Sequence, residues 1–292
     1  MRSNKIRLKL NKEQERLAWW YSKVSRNFWN LLVDIDKRNN NGEFDEILSI
    51  YGNETYYSAF YCRDIYTLKP SDYTKLAKIV VGIYSKVDKE KWSWYYHPNQ
   101  SFIYTFLARE VVKIRRQNKG RLKFKGISKV KPSFSVSCCM SSNKKRPSRI
   151  YLKDDGRLQI PTLGGVSFGS VREGFDLSCK KQVATVSFDG KYWYLSYTED
   201  VETQVANLPD YTDGIGIDLG IKTLATVSDG TTVPNIKTFR RVRILNKRLK
   251  RLQRKVSRKY LINKCNKHNK TKNIIKLERQ IKLIHRSLRN IR

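Results

Sequence analysis

GIGIDLGIKTLATVSDG, Gly214 to Gly230, sets one carboxylate, Asp218, inside an apolar run flanked by glycines. Side chains alternate along a strand, so Ile217 and Leu219 are expected to face a core and Asp218 the opposite side. Gly216 and Gly220, beside it, leave room for a ligand or another backbone to come close. A strand carboxylate next to open space suits a divalent cation, because hard cations take oxygen ligands. It suits the satisfaction of local backbone amides equally well. Ile215–Asp218 and Leu224–Ser228 read as strands, Asp229–Gly230 as the turn after them, and Thr231–Val233 as the start of a third strand.

Beyond this run the period changes from two to about 3.5. Phe239, Val242, Leu245, Leu249, Leu252 and Val256 form one seam, and Ile274, Leu277, Ile281, Ile284, Leu288 and Ile291 a second. The polar run Asn263–Lys272 joins them. Two antiparallel helices packed along a coiled-coil-like line are expected. Residues 237–292 hold 22 Lys and Arg against a single acid, Glu278. Arg241, Lys247, Arg248, Lys250, Arg251, Arg254, Lys255 and Arg258 surround the first seam. Solvated helix surfaces usually mix signs. This one does not, which favours a rod lying against a phosphate backbone.

Upstream, Ile6, Leu8 and Leu10 alternate with Lys5, Arg7 and Lys9, predicting a half-buried first strand. Asn11 caps a helix carrying Leu17, Trp20, Tyr21, Val24, Phe28, Leu31, Leu32 and Ile35, broken at Asn39 to Gly42. Further helices are predicted around 54–67, 71–88 and 99–117, the last stopping at Asn118, Lys119 and Gly120. Short β-type runs then follow: Leu122–Phe124, Ser133–Ser137, Ile150–Leu152, Leu158–Ile160, Val166–Phe168, Val183–Phe188 and Tyr192–Tyr197. Asp189–Gly190 joins the last two as a hairpin. Seven short strands without helices predict a small β-barrel, and Asn207–Asp213 reads as a linker.

The chain has 292 residues, a net charge of +34 and 39% hydrophobic residues. That composition fills cores and calls for a polyanionic partner. No apolar run reaches the length of a spanning helix and the opening MRSNKIRLKL has no h-region, so a cytoplasmic or nuclear protein, not a membrane one, is expected. The five cysteines are odd in number and contain no CxxC, so no disulfide framework and no zinc site is expected. His97, His268 and His285 lie in separate segments and read as surface or core residues.

Two families share the GIDLG pattern. Actin-like ATPases use a similar strand and turn for ATP phosphates, normally at the start of a domain and before Thr/Ser/Gly-rich turns. Here Ile221–Lys222 and a basic hairpin follow. The chain resembles the other family, TnpB (OrfB), the transposon-encoded RNA-guided nucleases related to type V CRISPR effectors. IRLKLNKEQ resembles its opening strand and helix, and GRLKFKG and PSFSVS the strands after its helical insertion. LQIPTLGGVSFG and TVSFDGKYWYLSYTED are similar to its closing wedge-domain strands, GIDLGIKTLATVSDG to its first RuvC motif, and LQRKVSRK to the following basic helix.

The resemblance implies a multidomain α+β protein. A wedge β-barrel would comprise 1–11 and 121–206, with a helical recognition insertion at 12–120. A linker at 207–213 would lead to a partial RuvC domain of RNase H-like fold at 214–292, its basic hairpin at 237–292. It implies a guide RNA, a double-stranded DNA target and Mg²⁺-dependent cleavage, with Asp218 as first catalytic and metal-binding carboxylate. It also places reading of the flanking DNA motif near Asn99, Gln100, Ser101, Ser135 and Ser137. The family pattern continues with a later Glu, a CxxC…CxxC zinc element and a final Asp, none of which occurs in this sequence. Three readings follow: a fragment, one half of a split nuclease with a separate C-terminal partner, or a truncated form kept for binding. The alternative function is a cleavage-deficient RNA-binding protein or guide-directed repressor.

Overall fold

The computed structural model describes residues 2–40, 69–96, 101–118, 122–126, 131–137, 150–170, 181–199, 214–265 and 270–291. These make a mixed α/β protein with one seven-stranded and one three-stranded antiparallel sheet and, among the described residues, six α-helices. They fall into two compact units: Met1–Phe188 with Tyr192–Glu202, and Asp189–Lys191 with Thr203–Arg292.

The first unit opens with β1 (Arg2–Lys9), whose Ile6 and Leu8 are buried while Lys5, Arg7 and Lys9 are exposed. Helix α1 (Lys12–Asn40) follows. Its start is fixed by a reciprocal cap: Gln14 N–H donates to Asn11 Oδ1 at 2.7 Å, and Asn11 N–H donates to Gln14 Oε1 at 3.2 Å. Helix α2 (Pro70–Val87) starts at a proline whose missing N–H costs nothing there. Asp72 accepts the Lys69 N–H at 2.8 Å. A short helix α3 (Lys89–Trp92), a 3₁₀ turn (Ser93–Tyr96) and α4 (Ser101–Asn118) complete the helices of this unit. The helix expected around 54–67 lies outside the described residues.

The remaining strands are β2 (Ser133–Ser137), β3 (Tyr151–Leu152), β4 (Leu158–Ile160), β5 (Gly164–Phe168), β6 (Lys181–Phe188) and β7 (Trp193–Glu199). Their order is β2-β6-β7-β1-β5-β4-β3, so the N-terminal strand sits in the middle, between β7 and β5. The register sets Leu8 opposite Trp193 on one side and Phe168 on the other. Alternation then puts Phe134, Val136, Ala184, Val186, Leu195 and Val166 on the inner face with Ile6 and Leu8, all buried. Tyr21, Val24, Phe28 and Leu32 of α1 join them in one core. Burying each large apolar side chain there is worth about 1.5–3 kcal/mol. Phe28 and Tyr104 stack at 4.0 Å, and Tyr104 stacks on Tyr95 at 5.1 Å.

Two polar devices hold helices and connecting chain in place. Asp36 on α1, buried, takes a hydrogen bond at 2.8 Å from Nε of buried Arg115 on α4, with a second, shorter contact to Nη2. Tyr73 of α2 donates its hydroxyl to the same Asp36 oxygen at 3.2 Å. Burial and then the Asp36 charge push the Tyr73 phenol well above its usual range, so it stays a donor. Three helices are thus pinned by one fully partnered carboxylate. The second device is Asn30, whose amide donates to Lys125 C=O at 3.1 Å and accepts Lys125 N–H at 2.7 Å.

That second device explains a departure from the sequence reading. Leu122–Phe124 is not a strand. Backbone groups of this segment pair with α1 side chains instead: Trp29 Nε1 donates to Lys123 C=O at 3.0 Å, beside the Asn30 clamp. The count of seven strands is reached because β1 takes its place in the sheet. Among the described residues no pairing joins β2 to β3, so the strand order is linear. Asn207–Asp213, read as a linker, lies outside the described residues.

Candidate nucleic-acid interface and the acidic strand

In the second unit β8 (Ile217–Asp218), β9 (Thr223–Val227) and β10 (Thr232–Pro234) form the three-stranded sheet in the order β10-β9-β8. Asp218 pairs opposite Thr226, and Ile217 opposite Val227. Two glycines have definite reasons to be there. A Cβ on Gly220 would lie 2.8 Å from the Thr223 carbonyl oxygen, so the close approach at this position is made by the chain's own backbone. Gly230 has φ of 86° in the turn, where Asp229 accepts the Thr231 N–H at 2.7 Å. That bond holds the Asp229 carboxyl below its usual range.

The expectation that Ile217 and Leu219 face a core is corrected. They are 63% and 76% exposed, and Ile221 is 92% exposed. Both faces of β8 are open because no helix of the described residues covers this small sheet. Asp218 is exposed as well and has no hydrogen-bond partner among the described residues.

Among the described residues no three His, Cys, Asp or Glu gather as a metal cluster. A two-metal centre needs several converging carboxylates. Asp218 alone does not make one.

The helical hairpin follows. The 3₁₀ turn Ile236–Thr238 is capped by Asn235, whose side chain also donates to Ile221 C=O at 2.6 Å. Helices α5 (Arg240–Cys265) and α6 (Lys272–Ile291) pack through Val242, Leu252, Val256, Ile274 and Ile284, all buried. Leu245, Leu249, Leu277, Ile281, Leu288 and Ile291 are half-buried along the same line. Phe239 precedes the helix and is exposed.

The eight cations singled out from sequence, Arg241, Lys247, Arg248, Lys250, Arg251, Arg254, Lys255 and Arg258, are all exposed on α5. None forms an ion pair among the described residues. The hairpin's lone acid has a different occupation. Glu278 accepts a short hydrogen bond from the Tyr260 hydroxyl and a 3.0 Å bond from Lys270 Nζ. Burial alone would raise Glu278, but these two hydrogen bonds outweigh it and hold the carboxyl below its usual range. The acid closes the hairpin and leaves the cations uncompensated.

Asn99 and Gln100, expected to read a flanking DNA motif, lie outside the described residues. Ser101 is the first residue of α4, and Ser137 the last of β2. The Ser135 hydroxyl lies 2.7 Å from that of Thr185 on the adjacent strand. A feature not anticipated from sequence lies on the same sheet. Lys5 Nζ sits 4.3 Å above the Tyr194 ring, and the Arg7 guanidinium carbon 3.4 Å above the Tyr192 ring. The signal was the alternation of Lys5, Arg7 and Lys9, but their aromatic partners are encoded almost at the far end of the unit.

Residues 196–292, spanning the end of β7, the small sheet and the hairpin, match the OrfB_IS605 family, described as "Probable transposase". The exposed strand carboxylate and the one-signed helical hairpin both lie within this matched segment. The chain is also 29% identical over 140 residues to the "Putative RNA-guided DNA endonuclease InsQ" of Escherichia coli (strain K12). That match covers 48% of this chain and 31% of the relative, so the chain spans about a third of the protein it matches. Together the two matches support assignment to the TnpB (OrfB) family. No helix among the described residues is long and apolar enough to cross a membrane.

Proposed function

We propose that this chain is an RNA-guided DNA-binding protein of TnpB type, working in the cytoplasm and on the nucleoid. The observation that carries it is the uncompensated charge of α5 inside the family-matched segment. Phosphate contacts from such a helix give affinity without sequence information. Base pairing by a guide RNA would then supply the specificity toward a double-stranded DNA target. On this reading the seven-stranded sheet belongs to a wedge barrel with helices 12–120 as its recognition insertion, and 214–292 is part of a RuvC domain. Asp218 would contribute one carboxylate to a Mg²⁺ site, and its other ligands would have to come from elsewhere, for example a separate nuclease half. The test is to purify the chain from cells and sequence the RNA that co-purifies. One RNA species, whose complement directs the chain to matching DNA, supports the reading; a random sample of cellular RNA refutes guide dependence.

A second reading has its own observation. One exposed carboxylate, with no second acid converging on it among the described residues, favours a protein that binds and never cuts. Adding a polypeptide bearing the missing Glu, zinc element and Asp separates the two. Cleavage restored, and lost again in Asp218→Ala, selects the nuclease. Target binding that persists without cutting selects the repressor.

A further inference from the structure

The three-stranded sheet of the second unit is closed off along one edge and not along the other. At β10 the rim is blunted: the register shifts between Val233 and Pro234, and Pro234 has no N–H to offer. The rim of β8 carries neither device. Ser228 N–H donates to Gly216 C=O at 2.8 Å, and Gly220 N–H to Leu224 C=O at 3.3 Å, so the even-numbered residues turn their backbone groups toward β9. Antiparallel pairing alternates, so Ile217 and Leu219 turn theirs to the open side. No strand among the described residues lies there.

The same strand borders an apolar face. Residues directly opposite one another share a side of the sheet. Ile217 lies opposite Val227, and Val233 opposite Ala225, so these four stand on one side. Ile215 and Leu219, two residues either way from Ile217, extend it. Ile215 is 70% exposed, in keeping with Ile217 and Leu219. The other side carries Asp218, Thr226 and Thr232 and is polar. A sheet with one apolar and one polar side normally packs the first against a core. An open edge beside an exposed apolar face is the arrangement to which an extended segment adds as a further strand.

We propose that the edge of β8 is a docking surface for an extended segment of a separate, acidic polypeptide. That segment pairs with the outward N–H and C=O groups of Ile217 and Leu219, and its own apolar residues continue the face made by Ile215, Ile217 and Leu219. Charge decides the kind of partner. Residues 237–292, in the same compact unit, hold 22 Lys and Arg against one acid. A second copy would bring an equal excess to the same place and is repelled, whereas an acidic chain is drawn in. The surface deepens the proposed function, since it rests on the reading in which a second polypeptide joins this chain. Its test reads binding alone and needs neither RNA, DNA nor cleavage, so the two can fail separately.

The probe is a display library of random peptides about ten residues long, the upper length of an ordinary strand. It is selected on the intact chain and counter-selected on Ile217→Thr with Leu219→Thr. Both residues are exposed and threonine suits a strand, so this variant should keep its fold. Counter-selection also removes peptides held by the hairpin's charge alone. Selected peptides should alternate apolar residues with Asp or Glu and bind the threonine variant at least about ten-fold more weakly. In the complex the amides of Ile217 and Leu219 should exchange with solvent at least about ten-fold more slowly than in the free chain. Ile217→Pro, which removes one outward donor and no bond to β9, should weaken binding as well and keeps the test decisive if the threonine variant misfolds. Peptides bound equally by the variants, or amides at 217 and 219 left unprotected, would overturn the docking surface. Selection of uncharged or basic peptides would overturn the acidic partner. A dimer in sedimentation that dissociates in the threonine variant would overturn the separate polypeptide and assign the edge to a second copy.

Discussion

Arg248, Arg251 and Arg254 project from α5 into solvent with no acidic partner among the described residues, so the work they do should appear in the salt dependence of binding. Replacing all three by Gln removes three charges. The seam residues Val242, Leu252 and Val256 stay untouched, and Gln is a good helix former, so the hairpin should fold as before. Each phosphate neutralised contributes about 0.9 to the slope of log K against log salt on a duplex, and about 0.7 on a single strand. Three contacts therefore flatten the slope by about 2–3. Between about 50 and about 200 mM salt, a slope change of about 2.7 amounts to about 40-fold in affinity. The variant should be the weaker binder at low salt and lose less as salt rises. The assay is fluorescence anisotropy of a labelled RNA–DNA hybrid at several salt concentrations, with thermal melting to verify folding. The effect should be the same for hybrids of any sequence, since phosphates carry no sequence. A wild-type slope in the folded triple variant would refute the reasoning: α5 would be a solvated surface, and the affinity would reside elsewhere.

The other predictions are tested on the same chain. Asp36→Ala strands the buried Arg115 guanidinium and should cost about 3–5 kcal/mol, read as a lowered urea midpoint; a shift below about 1 kcal/mol would mean that the pair is solvated. Asp218→Ala, at an exposed position without a partner among the described residues, should change stability by less than about 0.5 kcal/mol. The chain alone should not cleave a matched DNA target in Mg²⁺, because one carboxylate does not fix two ions; cleavage that disappears in Asp218→Ala would show otherwise. Glu278 is held below its usual range in the folded hairpin. Its contribution is therefore complete above its unfolded pKa and is lost as pH falls through the lower, folded value. Acid should loosen the Tyr260–Lys270 end of the hairpin, seen as faster amide exchange there, and Glu278→Gln should remove that acid dependence.

Local pattern carried much of the fold. The Ile6/Leu8 alternation, the Asn11 cap and the two seams of the hairpin depend on neighbours within a few residues, and each appears where the sequence places it, except Phe239, which precedes the helix and is exposed. Leu122–Phe124 was misread because its β-type composition says nothing of Asn30, whose amide replaces a neighbouring strand from elsewhere in the chain. Ile217 and Leu219 were misread for a related reason: alternation tells which residues share a face, not whether anything covers it. The chemistry of the second unit was legible as charge, since 22 cations against one acid need no structure to be seen. The Lys5–Tyr194 and Arg7–Tyr192 pairs and the Asp36–Arg115–Tyr73 group were not, because their members meet only through long-range register.

The central place of β1 bears on how this protein is made. β1 is translated before its partners: its longest pairing is with Trp193–Glu199, and its other partner, β5, meets it at only Leu8 and Lys9. A strand whose neighbours are encoded so late must wait on the ribosome with Ile6 and Leu8 unsheltered, while α1 to α4 emerge and begin to associate. Non-local pairing of this kind sets a slow final step in folding. Deleting β1 would split the sheet down its middle rather than fray its rim.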